Sequence, residues 1–222
     1  MRENMKKILV LSDIHFPHPY SRHFEKVIRK EKPDFVVLLG DNISPFSKQD
    51  LVKTYEKFIS IYKRVFPLNR TVFILGDNDG LDNHYRPNKE VILYLSFMPK
   101  LNSSFFEWRY KNLVFTHGNI EASYKEEKAY FLIAKILASI SKGIVPKVVS
   151  KALKLRLGVK SGTFVFAGHI HYLGNVDSVY FCGTFSKEKL LYGRDDSLGY
   201  VVIRDASRVI SKKDIRLVKL RI

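Results

Sequence analysis

Cysteine is nearly missing from these 222 residues: Cys182 stands alone, so no disulfide can form within the chain, and no Cys/His series has zinc-finger spacing. That usage suits a reducing compartment, and a cytoplasmic location is expected. Long apolar runs are missing too. The richest, Ala129 to Ile140, is interrupted by Lys135 and falls short of the roughly 18 uninterrupted apolar residues that a spanning helix requires, so no transmembrane segment is expected. Lys6-Lys7 before Ile8-Leu9-Val10-Leu11 has the look of a signal-peptide opening, but the apolar run ends at Ser12-Asp13 and reads as a first strand. Internal repeats and low-complexity linkers are absent. Acidic residues are scarce, with 22 Asp and Glu against 38 Lys and Arg, a formal charge of +16. Such an excess implies attraction to something anionic, whether nucleic acid, acidic lipid headgroups or a phosphorylated metabolite.

What is present is the balance of a folded globular protein, 45% hydrophobic and 27% charged, at a length that fits one domain over 1–222. Three apolar runs stop abruptly at polar residues: Lys7 to Leu11 before Ser12-Asp13, Phe35 to Leu39 before Gly40-Asp41, and Thr71 to Leu75 before Gly76-Asp77. They are continuous rather than alternating, as strands buried on both faces are. Ser21 to Lys32, ending at Pro33, and Asp50 to Tyr62 read as the helices between them, which makes an α/β order. Asn112 to Thr116, Thr163 to Ala167, Val179 to Cys182 and Tyr200 to Arg204 are further strand candidates, enough for a second sheet. A helical insert at about 121–162 includes Tyr124 to Ile140 and Lys147 to Leu157.

Strands of an α/β sheet deliver their following loops to one edge, so polar residues at several strand ends converge. Here those ends carry Asp13 and His15, Asp41, Asp77, His117, and His169 with His171. Any one Asp after Gly reads as a turn residue or cap, and a lone His as structural. Five strand ends loaded with Asp or His read as a metal site. In Asp13-Ile14-His15 and His169-Ile170-His171, alternation along an extended segment would aim both side chains of each pair the same way.

Asp13-Ile14-His15, Gly40-Asp41-Asn42, Gly76-Asp77-Asn78-Asp79, Thr116-His117-Gly118 and Gly168-His169-Ile170-His171 resemble, in order and spacing, the motif set DxH, GD, GNH(D/E), (T/S)HG and GHxH of calcineurin-like metallophosphoesterases. The resemblance implies a two-sheet sandwich flanked by helices, with the site at the strand ends. It implies one ion on Asp13, His15 and His171, another on His117, His169 and Asp77, and Asp41 bridging both, with Asn42 touching substrate. The resemblance implies two divalent metal ions as cofactors, Mn²⁺ first among them; mixed N/O donors suit Mn²⁺, Fe, Co²⁺, Ni²⁺ or Zn²⁺ better than Ca²⁺. The reaction implied is hydrolysis by a metal-bound hydroxide. One motif departs from the pattern. Asp77 stands where an amide is usual, and Asn78 stands where an imidazole serves the leaving group; an alternative alignment makes Asn78 the ligand. As the candidate catalytic residue, Asn78 can donate a hydrogen bond but cannot transfer a proton at neutral pH, with His18 the nearest alternative acid in sequence. That favours a phosphodiester or pyrophosphate with a good leaving group.

From Glu121 to Gly162 there are nine Lys or Arg against three Glu. Lys147, Lys151 and Lys154 form a basic stripe at i, i+4 and i+7, with Val148, Val149, Ala152 and Leu155 expected on the apolar face. The insert is similar in placement to the helical cap of UDP-2,3-diacylglucosamine hydrolases. Anchored between two of the motifs, the insert is either a lid over the site or an ordinary surface helix covering part of the core, and a basic, apolar-faced cap would suit a phosphorylated small-molecule or lipid-linked substrate or peripheral contact with an acidic membrane surface. Two other functions fit the same residues: a nuclease on the same metal centre, its partner a nucleic acid, and a catalytically silent protein-binding scaffold. Against a nuclease, the aromatics fall in strand and helix patterns that suggest core.

Overall fold

The computed structural model describes residues 5–44, 51–80, 89, 102–104, 106–119, 123–186, 192 and 196–220. The elements, in chain order, are β1 (Lys7–Leu11), α1 (His23–Glu31), β2 (Phe35–Leu39), α2 (Leu51–Tyr62), β3 (Thr71–Ile74), β4 (Asn102–Ser104), β5 (Glu107–Tyr110), β6 (Leu113–Thr116), α3 (Tyr124–Ile140), α4 (Ile144–Leu157), β7 (Phe164–Ala167), β8 (Leu173–Val176), β9 (Val179–Cys182), β10 (Gly199–Arg204) and β11 (Ile215–Lys219). They form a six-stranded sheet in the order β11-β10-β1-β2-β3-β4 and a five-stranded sheet in the order β5-β6-β7-β9-β8. The predicted two-sheet sandwich is the fold observed. Asp50, expected in the second helix, and the first two positions of the insert lie outside the described residues.

The continuous apolar runs follow from burial on both faces. On β1 and β2, Leu9, Leu11, Val36 and Leu38 meet Phe24 of α1 and Phe58 and Tyr62 of α2. Their alternate neighbours Ile8, Val10, Val37 and Leu39 meet Phe115, Phe166 and Tyr180 of the other sheet. The far face of that second sheet, Val114, Val165 and Phe181, is covered by Val145, Val149 and Leu153 of α4. Four layers result, helices outside and sheets inside, and alternation along each strand assigns its side chains to two different cores.

This arrangement also sets the register at the functional edge. β1, β2, β3 and β4 run parallel, pairing Leu11 with Leu38 and Leu39 with Ile74. In the second sheet β6, β7 and β9 run parallel, pairing Thr116 with Ala167. The loops after β1, β2, β3, β6 and β7 therefore leave at one edge. The strands with no sequence signal are β4, β5, β8 and β11, which lie at sheet edges. β5, β8 and β11 pair antiparallel, and β8 carries Gly174 in its middle. Incompletely buried, they lack the unbroken apolar run that marks a central strand.

Helix α4 corrects the expected insert face. It starts at Ile144, with Pro146 in its first turn where the missing N–H costs nothing. Its inward face is Val145, Val149 and Leu153, whereas Val148 is 52% and Leu155 86% exposed. The apolar stripe was placed a fraction of a turn away, because Val148 and Leu155 fit a helical period as well as the true core positions do. Of the basic stripe, Lys154 pairs at 3.0 Å with Asp177 in the β8–β9 turn and so ties α4 to the sheet. Among the described residues no helix is long and apolar enough to cross a membrane.

Candidate metal centre

Five of the nine non-glycine residues with positive φ among those described are Asp13, His15, Asp41, His169 and His171, at 49–66°. Left-handed backbone costs a non-glycine residue roughly 1–3 kcal/mol and persists only where its surroundings hold it. The holding bonds are visible. His15 N–H donates to Asp41 O at 2.8 Å and Asp13 N–H to Gly40 O at 3.1 Å, so the loops after β1 and β2 brace each other; Gly168 N–H donates to His117 O at 2.8 Å, doing the same for the loops after β6 and β7. Extended alternation is therefore not what aims these side chains. His15 and His171 meet, with Nε2 atoms 3.2 Å apart, while His169 turns away to Asp77, its Nδ1 3.2 Å from Asp77 Oδ1.

Two donor groups result. Asp13, His15 and His171 converge: His171 Nε2 is 3.3 Å and His15 Nε2 4.0 Å from Asp13 Oδ1. Asp77, His117 and His169 converge likewise, with His117 Nε2 3.0 Å from Asp77 Oδ1. Asp41 lies between the two, Oδ2 3.8 Å from His15 Nε2 and Oδ1 3.6 Å from His117 Nε2. All seven residues named from the sequence are thus brought together. The grouping matches what the family resemblance implied and not what alternation implied.

Glycine is required where the loops crowd. A Cβ on Gly76 would stand 2.8 Å from His117 Nε2 and collide with Asp41 Oδ1, and one on Gly168 would collide with Ser12 Oγ. Ser12 itself donates to Asp13 Oδ2, which also accepts from His169 N–H at 3.1 Å. One oxygen of Asp13 is thereby fixed by hydrogen bonds. The other, Oδ1, is buried with no hydrogen-bond partner and faces His171 and His15. A buried carboxylate oxygen without a donor is expensive unless a cation meets it. His117 Nδ1 lies 2.6 Å from Leu39 O, which can only accept, so Nδ1 carries the proton and Nε2 is left for the site. Carboxylates and imidazoles without a thiolate fit divalent ions of the Mn, Fe, Co, Ni and Zn type.

The electrostatics point the same way. Burial, and then the charge of Asp77, push Asp41 well above the ordinary carboxylate range. Burial opposes ionisation of Asp77, but hydrogen bonds from His117 and His169 outweigh it and hold the carboxyl well below its usual range. Asp13 is likewise desolvated yet held at about 2, chiefly by His171. Burial disfavours the charged form of His117 too, but the charges of Asp41 and Asp77 raise it to about 10. His15, buried and beside His171, falls to about 3. Carboxylates and imidazoles pushed this far in opposite directions are competing for positive charge, which divalent cations would supply.

Asp77 and Asn78 play distinct parts in the geometry. Asp77 faces the two imidazoles, whereas Asn78 donates its backbone N–H to Asp41 Oδ1 at 2.8 Å and its amide to Asp41 Oδ2 at 2.6 Å. Asn42 corrects an expectation. It has no exposed surface, and its amide donates to Asp79 Oδ2 at 2.9 Å and Ile74 O at 3.3 Å, so contact with substrate has no surface to act through. Asp79 completes that brace by accepting from Ile43 and Gly76 N–H groups, and burial raises its carboxyl to about 6. Asn119 went unnoticed in the sequence. Its amide reaches Asp77 Oδ1 at 3.3 Å, and its place two residues after His117 was the available signal. His18 does not line the cavity at the site; its ring lies 5.8 Å from that of Tyr20.

That cavity, about 380 Å³, has His15, Asp41, Asp77, Asn78, His169 and His171 as its floor. Its other wall is the insert: Phe131, Ala134 and Leu137 of α3 and Val145 and Val149 of α4, with Glu127 and Lys128 near one end of α3.

The model of the calcineurin-like phosphoesterase family matches residues 6–190. No curated protein matches the chain in sequence. Among solved structures, TT1561 of Thermus thermophilus is similar with a TM-score of 0.50 and 14% identity, covering 98% of this chain and 100% of that one. Yfce, a phosphoesterase from E. coli, is similar with a TM-score of 0.49 and 14% identity, covering 90% and 88%. A novel archaeal phosphodiesterase follows, with a TM-score of 0.46 and 15% identity, covering 96% and 99%. At such identities the likeness is one of fold. The family match over residues 6–190, on a two-sheet sandwich with Asp and His side chains gathered at its strand ends, makes this chain a member of the calcineurin-like phosphoesterase family.

Proposed function

We propose that the protein is a two-metal hydrolase that cleaves a phosphodiester or pyrophosphate bond in a substrate carrying an apolar group. The observation that carries this reading is the cavity itself, with Asp and His donors on one wall and the apolar side chains of α3 and α4 on the other. Asp13, His15 and His171 would hold one cation and Asp77, His117 and His169 the second, with Asp41 available to both. Bound divalent cations of this kind, Mn²⁺ first among them, supply positive charge to a phosphoryl group and acidify a water.

The chain's own residues do the rest. Ser12 and the His169 N–H fix the orientation of Asp13, and Leu39 O fixes the tautomer of His117. Asn78 steadies Asp41 and faces the cavity. Its amide, which donates to Asp41 and to Asp77, releases no proton, so the departing group receives none from Asn78, which suits a phosphate or an activated alcohol. Phe131, Ala134 and Leu137 take up the apolar part of the substrate and exclude water around the reacting group.

Assaying the Mn²⁺-loaded protein on an aryl phosphodiester, an alkyl monoester and a single-stranded oligonucleotide tests the proposal. The aryl diester should exceed the alkyl monoester in kcat/KM by about 100-fold or more, in line with the size of general-acid contributions. Preference for the alkyl monoester would mean that another group delivers a proton, and preference for the oligonucleotide would make the protein a nuclease. Unchanged hydrolysis after complete removal of metal would sink the metal-dependent reading altogether.

A further inference from the structure

Of the nine exposed large hydrophobic side chains among the described residues, only Phe106 and Val209 lie outside α3 and α4. Leu132, Ile136 and Ile140 are 62%, 56% and 71% exposed and recur at i, i+4 and i+8, which makes one stripe along α3. The opposite side of the same helix carries Phe131, Ala134, Leu137 and Ala138, partly buried against the cavity and the cluster under α4. No described side chain of α3 is buried, yet the helix is apolar on both sides. A helix of that kind ordinarily has a partner on each side. The inner partner is α4 and the second sheet; the outer one is not part of the described chain.

Charge identifies the outer partner. Lys125 and Lys135 of α3 are exposed, as are Lys147 and Lys151 on α4 and Lys142 between the helices, the last 3.9 Å from the carboxylate of Asp196. Glu126 and Glu127 are the only acids on the two helices, at the end of α3 farthest from Ile140. A second copy of this chain docked stripe to stripe would bring two lysine sets together, whereas an anionic lipid surface attracts the lysines and takes the aliphatic stripe at once. We propose that the outer face of α3 docks on an anionic membrane, with Leu132, Ile136 and Ile140 at the boundary between headgroups and acyl chains. Tyr130, Ile133 and Val148, each about half exposed, also line the cavity, so the docking stripe and the cavity wall form one continuous apolar surface. The docking itself does not depend on the hydrolytic reading.

Co-sedimentation of the full chain with vesicles tests this, using phosphatidylcholine alone and phosphatidylcholine mixed with phosphatidylglycerol, at low and raised NaCl. The wild-type protein should partition onto the mixed vesicles, less so as salt rises. The triple variant Leu132→Ser/Ile136→Ser/Ile140→Ser, whose positions do not line the cavity, should lose about 10-fold or more in partitioning while keeping wild-type hydrolysis of a soluble diester. If that variant does not fold, Lys125→Gln/Lys135→Gln/Lys142→Gln carries the test and should lose the preference for phosphatidylglycerol. Three results overturn the proposal: no partitioning of the wild type, equal partitioning of a folded variant, or a wild-type dimer that the serine variant abolishes while neither binds vesicles.

Discussion

Along β1 and β2 every residue after the first is buried, and each apolar side chain has a layer to meet; along α3 no described side chain is buried and the apolar ones face outward as well as inward. Both regions are rich in aliphatic residues. In the sheets that content holds five strand ends in register, so that Asp and His side chains on different loops stand within 4.8 Å of one another. In the insert it makes a cavity wall on one side and an uncovered stripe on the other. Apolar composition alone does not reveal which use a segment has. Coverage does, and coverage is a property of what lies opposite.

The contrast is sharpest at Asp41, which stands between the two donor groups and is 3% exposed. Asp41→Ala should lower activity by about 100-fold or more and reduce bound metal, since even a group one step removed from a metal can cost that much. Metal stoichiometry checks it, and two ions still held tightly per chain would disprove the shared role.

A gentler pair probes the insert against itself. Leu153 is 1% exposed and Leu155 is 86% exposed, two residues apart on one helix. Leu153→Ala should destabilise by about 2–4 kcal/mol through the cavity it leaves, and Leu155→Ala by no more than ~0.5 kcal/mol. Urea denaturation midpoints measure both. Equal costs would mean that Leu155 is covered in solution, which would redraw the uncovered face.

The smallest effect is expected at Asp77. Asp77→Asn removes one negative charge from a group that includes His117 and His169. Binding at that group should weaken, and at saturating metal the pH at which the rate rises should fall by about one unit, equivalent to about 1.4 kcal/mol. A pH–rate profile alongside a metal titration of both proteins reads this out. Should neither quantity move, Asp77 is not a metal ligand.

The central strands were legible in the residues because burial on both faces leaves an unbroken apolar run, as at Phe35 to Leu39. Edge strands such as β5 and β11 were not legible, because incomplete cover lets charged residues such as Glu107, Arg109 and Arg216 interrupt the apolar run. The helix over Tyr124 to Ile140 was readable to its ends, but the inward face of α4 was not, since several registers of aliphatic residues fit the same period. Asn42, which the family resemblance implied would touch substrate, has no exposed surface and donates instead to Asp79 and Ile74.

Which residues would form the site was determined by the sequence: Asp and His at five strand ends are an arrangement that turns and caps do not require, and loops following parallel strands leave at one edge whatever the details. How those residues divide could be inferred only by likeness to a family, and the physical reason for the division lies in the tertiary structure. His169 and His171 are two positions apart, yet they serve different groups, because left-handed backbone at both and the bond from Gly168 N–H to His117 O turn one toward Asp77 and the other toward Asp13. Local spacing fixes direction only in a regular segment; where the backbone leaves the extended region, the loops packed against it decide.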